Sequence, residues 1–246
     1  VPADRFTSAS AFAKALAEAW SLPIVATNHM EGHIVIAAAT DTRLAPIEIP
    51  ALSLLVSGGH TELVLMREWG SYEVVGSTRD DAAGEAFDKS ARLMGLPYPG
   101  GPEISKRAAA ARAEDLPRVV TLPRPMIHEK SYDFSFSGLK TAVRREFDIL
   151  KPLDAVSEKA FAREIEDAIV EVLVAKTLRA AEELDAQTVL VGGGVSANIR
   201  LRDIMTTALR EATPRGNEPY FPTPIFATDN ARMIALAGYL HASRGE

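Results

Sequence analysis

Apolar residues recur every fourth position at Phe12, Leu16 and Trp20, the spacing that lines one face of an α-helix. Thr7 or Ser8, just upstream, is placed to cap it. Pro23-Ile24-Val25-Ala26 then reads as a short buried strand, Asn28 through Ala39 as a second helix, and Pro46 to Pro50 as a connection. Three strand-like runs follow closely, at Leu52–Ser57, Thr61–Arg67 and Tyr72–Ser77. Gly58-Gly59 and Gly70-Ser71 separate them, so an antiparallel meander is predicted.

Helical patterns return near Ala82–Met94 and Ile104–Ala113, and the proline-rich stretch Leu116–Pro125 breaks regularity. Two more helices are predicted at Gly138–Phe147 and Glu158–Leu184. In the latter, Phe161, Ile165, Ala168, Val172 and Ala175 form one apolar face. Thr188–Val191 reads as a buried strand ending at Gly192-Gly193-Gly194, followed by a helix from Asn198 to Glu211. Tyr220-Phe221 suggests a short strand and Asp229–Ala242 a final helix. From Leu52 the order is three antiparallel strands, helices, strand, helix, strand, helix. That order predicts an α/β chain with a ribonuclease-H-like domain, the half-unit of the actin, Hsp70 and sugar-kinase superfold. Such folds host many chemistries, so function has to come from the site.

With 246 residues the chain has room for one large domain or two small ones. Hydrophobic residues at 47% and charged residues at 24% are ordinary for a globular protein. No apolar run approaches the length of a membrane span, so no membrane partner is expected. Val1-Pro2-Ala3-Asp4-Arg5 lacks the basic-then-apolar order of a secretory signal. The absence of cysteine excludes disulfides and thiolate metal ligands and fits a reducing cytoplasm. A net charge of −6 argues against a general nucleic-acid coat. Lys106, Arg107, Arg112, Arg118, Arg124, Lys130, Lys140, Arg144 and Arg145 nevertheless crowd the middle of the chain. They are either a local basic face or a solvated surface.

Five short segments carry candidate chemistry. In Asn28-His29-Met30-Glu31-Gly32-His33, histidines at i and i+4 share a helix face, close enough to hold one metal ion. Two ordinary histidines are the plain alternative. Val56-Ser57-Gly58-Gly59-His60 ends a strand with two glycines that let backbone amides approach a phosphate, or it is a simple hairpin turn. Asp80-Asp81-Ala82-Ala83-Gly84-Glu85-Ala86-Phe87-Asp88-Lys89 is acidic at a helix start, where the macrodipole stabilises carboxylates. Asp81, Glu85 and Asp88 share a face there, with Asp88 in reach of a ribose hydroxyl; a solvated, capped helix is the alternative. Tyr98-Pro99-Gly100-Gly101-Pro102 follows as a tight turn. Gly192-Gly193-Gly194 leads from a strand into Asn198 and a helix, a backbone platform for a nucleotide that lacks the lysine of a P-loop. Asp229, in Ala227-Thr228-Asp229-Asn230, is either an N-cap or the oxygen ligand that completes a two-histidine site.

Taken together, NHMEGH, VSGGHTELVL, DDAAGEAFDKSARLMGLPYPGGP, DFSFSGLKTAV, VGGGVSAN and ATDNARMIA occur in one order. They resemble the TsaD family, formerly called O-sialoglycoprotein endopeptidase, from about Phe6 to the C-terminus. The resemblance implies paired ribonuclease-H-like domains with a cleft between them. Residues 1–50 and 225–246 would belong to the first domain and residues 51–224 to the second. It implies transfer of threonylcarbamoyl from threonylcarbamoyl-AMP to N6 of adenosine 37 in tRNAs reading codons that begin with A. His29, His33 and Asp229 would be catalytic metal ligands for one divalent iron or zinc ion. Val56, Ser57, Gly58, Gly59, His60, Asp88, Gly101 and Asn198 would line the adenylate site. The bacterial wording GEAFDKSA and GGHTEL implies TsaB-like and TsaE-like partners, with the tRNA anticodon loop as substrate, in the cytoplasm.

The family's opening strand and its Asp-, Ser-, Cys- and Glu-rich turn have no match here. A split, truncated or incomplete first domain is therefore expected, with Pro23–Ala26 left as an unpaired edge over a thinly covered core. On that account an inactive scaffold fragment is the main alternative. A metalloprotease needs a glutamate placed to activate metal-bound water, and Glu31 is one position off the zincin spacing. A small-molecule kinase of the same superfold has no use for the histidine pair.

Overall fold

The computed structural model describes residues 3–40, 43–212 and 218–245, and within the first helix the side chains from Ser10 onward. In chain order the first elements are α1 (Ala3–Ala19), α2 (His29–Ala37), β1 (Ala51–Val56), β2 (Thr61–Glu68), β3 (Ser71–Ser77), α3 (Ala83–Leu93) and α4 (Gly100–Ala113). Then come α5 (Ser137–Leu150), α6 (Ala155–Glu183), β4 (Thr188–Gly192), α7 (Ile199–Ala212) and α8 (Ala231–Ser243).

The chain is mixed α/β, built on a four-stranded sheet of order β3-β2-β1-β4. The meander is antiparallel, with Ala51 opposite Met66 and Val56 opposite Thr61. β4 joins β1 in parallel, with Ala51 opposite Thr188. β1 and β4 are buried along their whole length, which is why they read as unbroken apolar runs rather than alternating ones. The period of two then sorts their side chains: Leu52, Leu54, Val56, Val189 and Val191 face one core, Ala51, Leu55 and Leu190 the other. Beyond β4, Tyr220 adds a single parallel bridge to Leu190 where a short strand was expected.

The larger core lies under α3 to α7. Its axis is α6, whose 29 residues are buried on nearly every side. Phe161, Ile165, Ala168 and Val172 face inward as their spacing predicted, and Ala175 is half-buried. Phe87, Phe134 and Phe136 fill the same space, the last two rings stacked with centroids 6.4 Å apart. Five carboxylates of α6 meet arginines from neighbouring elements. Glu166 and Asp167 take Arg112 at 2.6 Å each, Asp167 also takes Arg200, and Glu164 and Glu171 take Arg124. Arg118 reaches Glu164 and Arg107 reaches Glu158. Buried carboxylates need such partners. Much of the mid-chain basic cluster is therefore bound internally and is not a free basic face.

The smaller core lies under α2, where Ile34, Ala37 and Ala38 meet Leu55, Val64, Met66 and Leu190. α8 packs on α2 and buries Met233 and Ala237. Three expectations fail in the N-terminal segment. α1 starts at Ala3, upstream of Thr7 and Ser8, so neither caps it. Its stripe faces solvent: Phe12 and Trp20 are exposed and Leu16 is half-buried. Pro23–Ala26 forms no strand, and Ile24 is exposed. The four-residue period correctly grouped the apolar side chains, but nothing among the described residues covers them.

Candidate metal centre and adjoining cleft

Two asparagine caps fix the starting points of the site. Asn28 Oδ1 accepts the Met30 amide at 2.8 Å and opens α2. Asn230 Oδ1 accepts the Met233 amide at 3.0 Å and opens α8. The residue inside the first cap is His29, and the residue just before the second is Asp229. Because Asn230 does the capping, Asp229 is left to face α2. His29 and His33 stand one turn apart with ring centroids 5.0 Å apart and planes nearly perpendicular. Asp229 Oδ1 lies 3.3 Å from His29 Nε2 and 3.1 Å from His33 Nε2. One ligand atom from each of the three side chains falls within 4.8 Å of the others.

The three differ in setting. His33 is buried, and its Nδ1 has no hydrogen-bond partner among the described residues. Burial and then the neighbouring His29 push its pKa below the ordinary value, against the pull of Asp229. A neutral imidazole is the form that ligates a metal. Asp229 is the most exposed of the three.

Glu31 sits two positions from each histidine and so on the opposite side of α2. Its carboxylate is buried, accepts the Tyr72 hydroxyl at 2.7 Å and lies 2.7 Å from His241 Nε2. It is turned away from the imidazoles, and a peptidase has no water-activating base there.

Beside the triad opens a cleft of about 830 Å³. Thr228, next to Asp229 in the chain, forms part of its wall. Gly58, Asp88, Gly101 and Asn198 all line this one cleft. Asp88 Oδ1 is held by the Gly100 amide at 2.8 Å, which fixes the turn after Tyr98. Asn198 caps α7 by accepting the Leu201 amide at 2.8 Å, and its Nδ2 donates to Ser105 and to Glu166.

A family model described as TsaD, tRNA N6-adenosine threonylcarbamoyltransferase, matches residues 7–236. The chain belongs to the TsaD family. Proteins named tRNA N6-adenosine threonylcarbamoyltransferase from Burkholderia ambifaria (strain MC40-6), Burkholderia cenocepacia (strain J2315) and Burkholderia pseudomallei (strain 1106a) are each 46% identical to it over 241 residues. Each match covers 96% of this chain and 67% of the relative.

Not every family motif reaches the cleft. Val56 is fully buried at the end of β1 and does not line it. Ser57 builds the β1–β2 hairpin: its Oγ accepts the amides of Gly59 and His60 at 3.2 and 3.1 Å. Gly59 and His60 are exposed, and His60 is near enough to lower the His33 pKa slightly. Asp81 and Glu85 grip Lys89 at 2.6 and 2.7 Å, so Asp88 alone of the three acidic residues enters the cleft. Gly192 and Gly193 serve packing. A Cβ on Gly192 would stand 2.7 Å from the His33 carbonyl oxygen, and one on Gly193, at φ +87°, 2.4 Å from that of Val56. Only Gly194 of the three lines the cleft.

Sequence reasoning missed two features. Asp80 accepts the hydroxyls of Ser135 and Ser137, each at 2.6 Å, and the amides of Phe136 and Ser137. The DFSFSG and DDAAGEAFDK segments thus cap each other at the start of α5. Burial pushes the Asp80 pKa up, but those four donors outweigh it and hold it at about 2. Ser105, Lys106, Arg112, Glu166 and Asp203 also line the cleft, and helical spacing alone gave no sign of it.

Proposed function

We propose that this chain transfers the threonylcarbamoyl group from threonylcarbamoyl-AMP to N6 of adenosine 37 in tRNAs that read codons beginning with A, releasing AMP. The observation that carries this reading is the meeting of His29, His33 and Asp229 at the edge of the cleft, in a chain of the TsaD family. The exocyclic amine forms a bond to the carbamoyl carbon as the carbon–oxygen bond to the phosphate breaks. The electron pair leaves with AMP, and the amine gives up one proton. Adenosine 37 lies in a single-stranded loop, so its base is presented without opening a duplex.

The cleft's part is to hold both reactants together, which lowers the entropic barrier. Asp88, Gly58, Gly101 and Asn198 bind the adenylate from the walls. One divalent ion, iron or zinc, fits the donor set of two neutral imidazoles and a carboxylate at His29, His33 and Asp229. Bound there, it supplies Lewis acidity toward an oxygen of the mixed anhydride. Asp229 and Thr228 bring that corner of the site to the cleft because α8 starts beside them.

The sheet order, with a parallel strand following three antiparallel ones, supports the ribonuclease-H-like reading for residues 51–224. The packing of α8 on α2 supports assigning residues 1–50 and 225–246 to a first domain of the actin, Hsp70 and sugar-kinase superfold. Partners in this reading are the tRNA anticodon loop and TsaB-like and TsaE-like proteins, and the compartment is the cytoplasm. No helix is long and apolar enough to cross a membrane among the described residues.

The test is mass spectrometry of tRNA nucleosides after this chain and its partner proteins are incubated with threonylcarbamoyl-AMP and unmodified tRNA. Threonylcarbamoyladenosine is expected. Its absence, with both partners present and the chain folded, rejects the reading.

A further inference from the structure

We infer that Glu31 is a positioning residue that, with Tyr72 and His241, sets how α2 and α8 cross and thereby brings Asp229 onto His29 and His33. The inference rests on the metal-site reading above. The two imidazoles and the carboxylate are 196 or more positions apart in sequence, so their geometry depends on how two helices meet. α2 and α8 are joined at three places. At one end Asp229 lies between the imidazoles, 3.3 and 3.1 Å from their Nε2 atoms. In the middle the helices touch at Gly32, where a Cβ would stand 3.1 Å from Met233 Cγ and 3.4 Å from the Met233 carbonyl oxygen. At the far end the Glu31 carboxylate lies 2.7 Å from Nε2 of His241, in the last turn of α8.

The same carboxylate takes the Tyr72 hydroxyl at 2.7 Å, which ties the helix pair to β3. Glu31 therefore fixes two directions at once, α8 along α2 and both against the sheet. A buried carboxylate is costly unless its oxygens are matched by donors, and here each oxygen has one. The outer end of α8 has a further latch, the Arg244 guanidinium 5.0 Å over the Trp69 ring between β2 and β3. Apolar packing cannot do this work alone, because α8 buries only Met233 and Ala237. A shift of α8 along α2 by a fraction of a turn would take Asp229 out of reach of both histidines.

The test is calorimetric titration of the metal-free chain with Zn²⁺, comparing wild type with Glu31→Gln, Tyr72→Phe and His241→Gln. Leu139→Ala, in the other core, controls for reduced stability. Wild type is expected to bind one equivalent through His29, His33 and Asp229. Each of the three variants is expected to bind roughly ten- to a hundredfold more weakly, the range for residues that orient ligands without touching the metal. Leu139→Ala should melt earlier and bind normally. If Glu31→Gln fails to fold, Tyr72→Phe, which removes one hydroxyl, decides. Unchanged affinity in Tyr72→Phe and His241→Gln overturns the inference, as does an equal loss in Leu139→Ala. A wild type that takes up no Zn²⁺ rejects the metal site itself, a separate outcome.

Discussion

The two faces of the sheet are covered unequally. Five helices close over one face and bury Phe87, Phe134, Phe136 and Phe161 completely. On the other, α2 supplies the cover, α8 lies outside it and Tyr239 is exposed; Phe12, Trp20, Leu22 and Ile24 of the N-terminal segment are exposed as well. The cleft lies mainly on the well-covered side, among α3, α4 and α7, whereas the triad is carried by α2 and the start of α8. The thick side has the larger apolar core, whose contribution is non-directional and tolerant, reinforced by the ion pairs of α6. The thin side has a smaller apolar core under α2, and there Asn28, Asn230 and Glu31 add specific polar interactions, which are directional and few. A site whose ligands come from distant parts of the chain gains from the second kind, because orientation matters more there than total burial.

Substitutions can break this contrast or sharpen it. The largest effect is expected from the triad. His29→Ala, His33→Ala and Asp229→Ala should lower bound metal and threonylcarbamoyl transfer together, by more than about a hundredfold, with little change in melting temperature for the exposed Asp229. Metal analysis and nucleoside mass spectrometry read both, and a variant that keeps both is not a ligand variant. Next comes Phe161→Ala under the thick face, which should cost about 3–5 kcal/mol in denaturant unfolding. A loss below about 1 kcal/mol would show that this core is looser than its burial suggests.

Charge reversal at Arg144 and Arg145 on α5 should weaken tRNA binding and flatten its salt dependence, by about one unit of slope for each phosphate no longer neutralised. Unchanged affinity would place the nucleic-acid face elsewhere. Asp80→Asn should remove an acid-sensitive part of stability at the start of α5. The Asp80 pKa is about 2 when folded and near 4 in an unfolded chain. Its contribution is therefore full above about pH 4 and lost as pH falls through about 2. Melting curves of wild type and variant should converge in that window. The smallest effect is expected for Phe12→Ser or Ile24→Ser on the exposed face, within about 0.5 kcal/mol. A large loss there would mean that these side chains are covered in solution.

Most elements were legible because strands buried on both faces and helices buried on one side leave regular apolar periods. Leu52–Ser57 and Thr188–Val191 were found within a residue or two of β1 and β4. The pairing of His29 with His33 was legible for the same reason, since four positions make one helical turn. The Asp80 nest was not, because it joins segments 55 or more positions apart through hydroxyls and amides with no pattern of their own. The mid-chain basic cluster misled in a similar way, since its ion pairs lie on α6, 40 to 55 positions downstream.

By itself, then, the chain's alphabet determined the local periods, the shared face of the two histidines, and membership of a family through ordered motifs. Only the tertiary structure decided that Asp229 meets those histidines, that Glu31 turns from them to Tyr72 and His241, and that the α1 stripe faces solvent. The physical reason is that periodicity specifies which side chains point the same way. What stands opposite them depends on how distant elements pack.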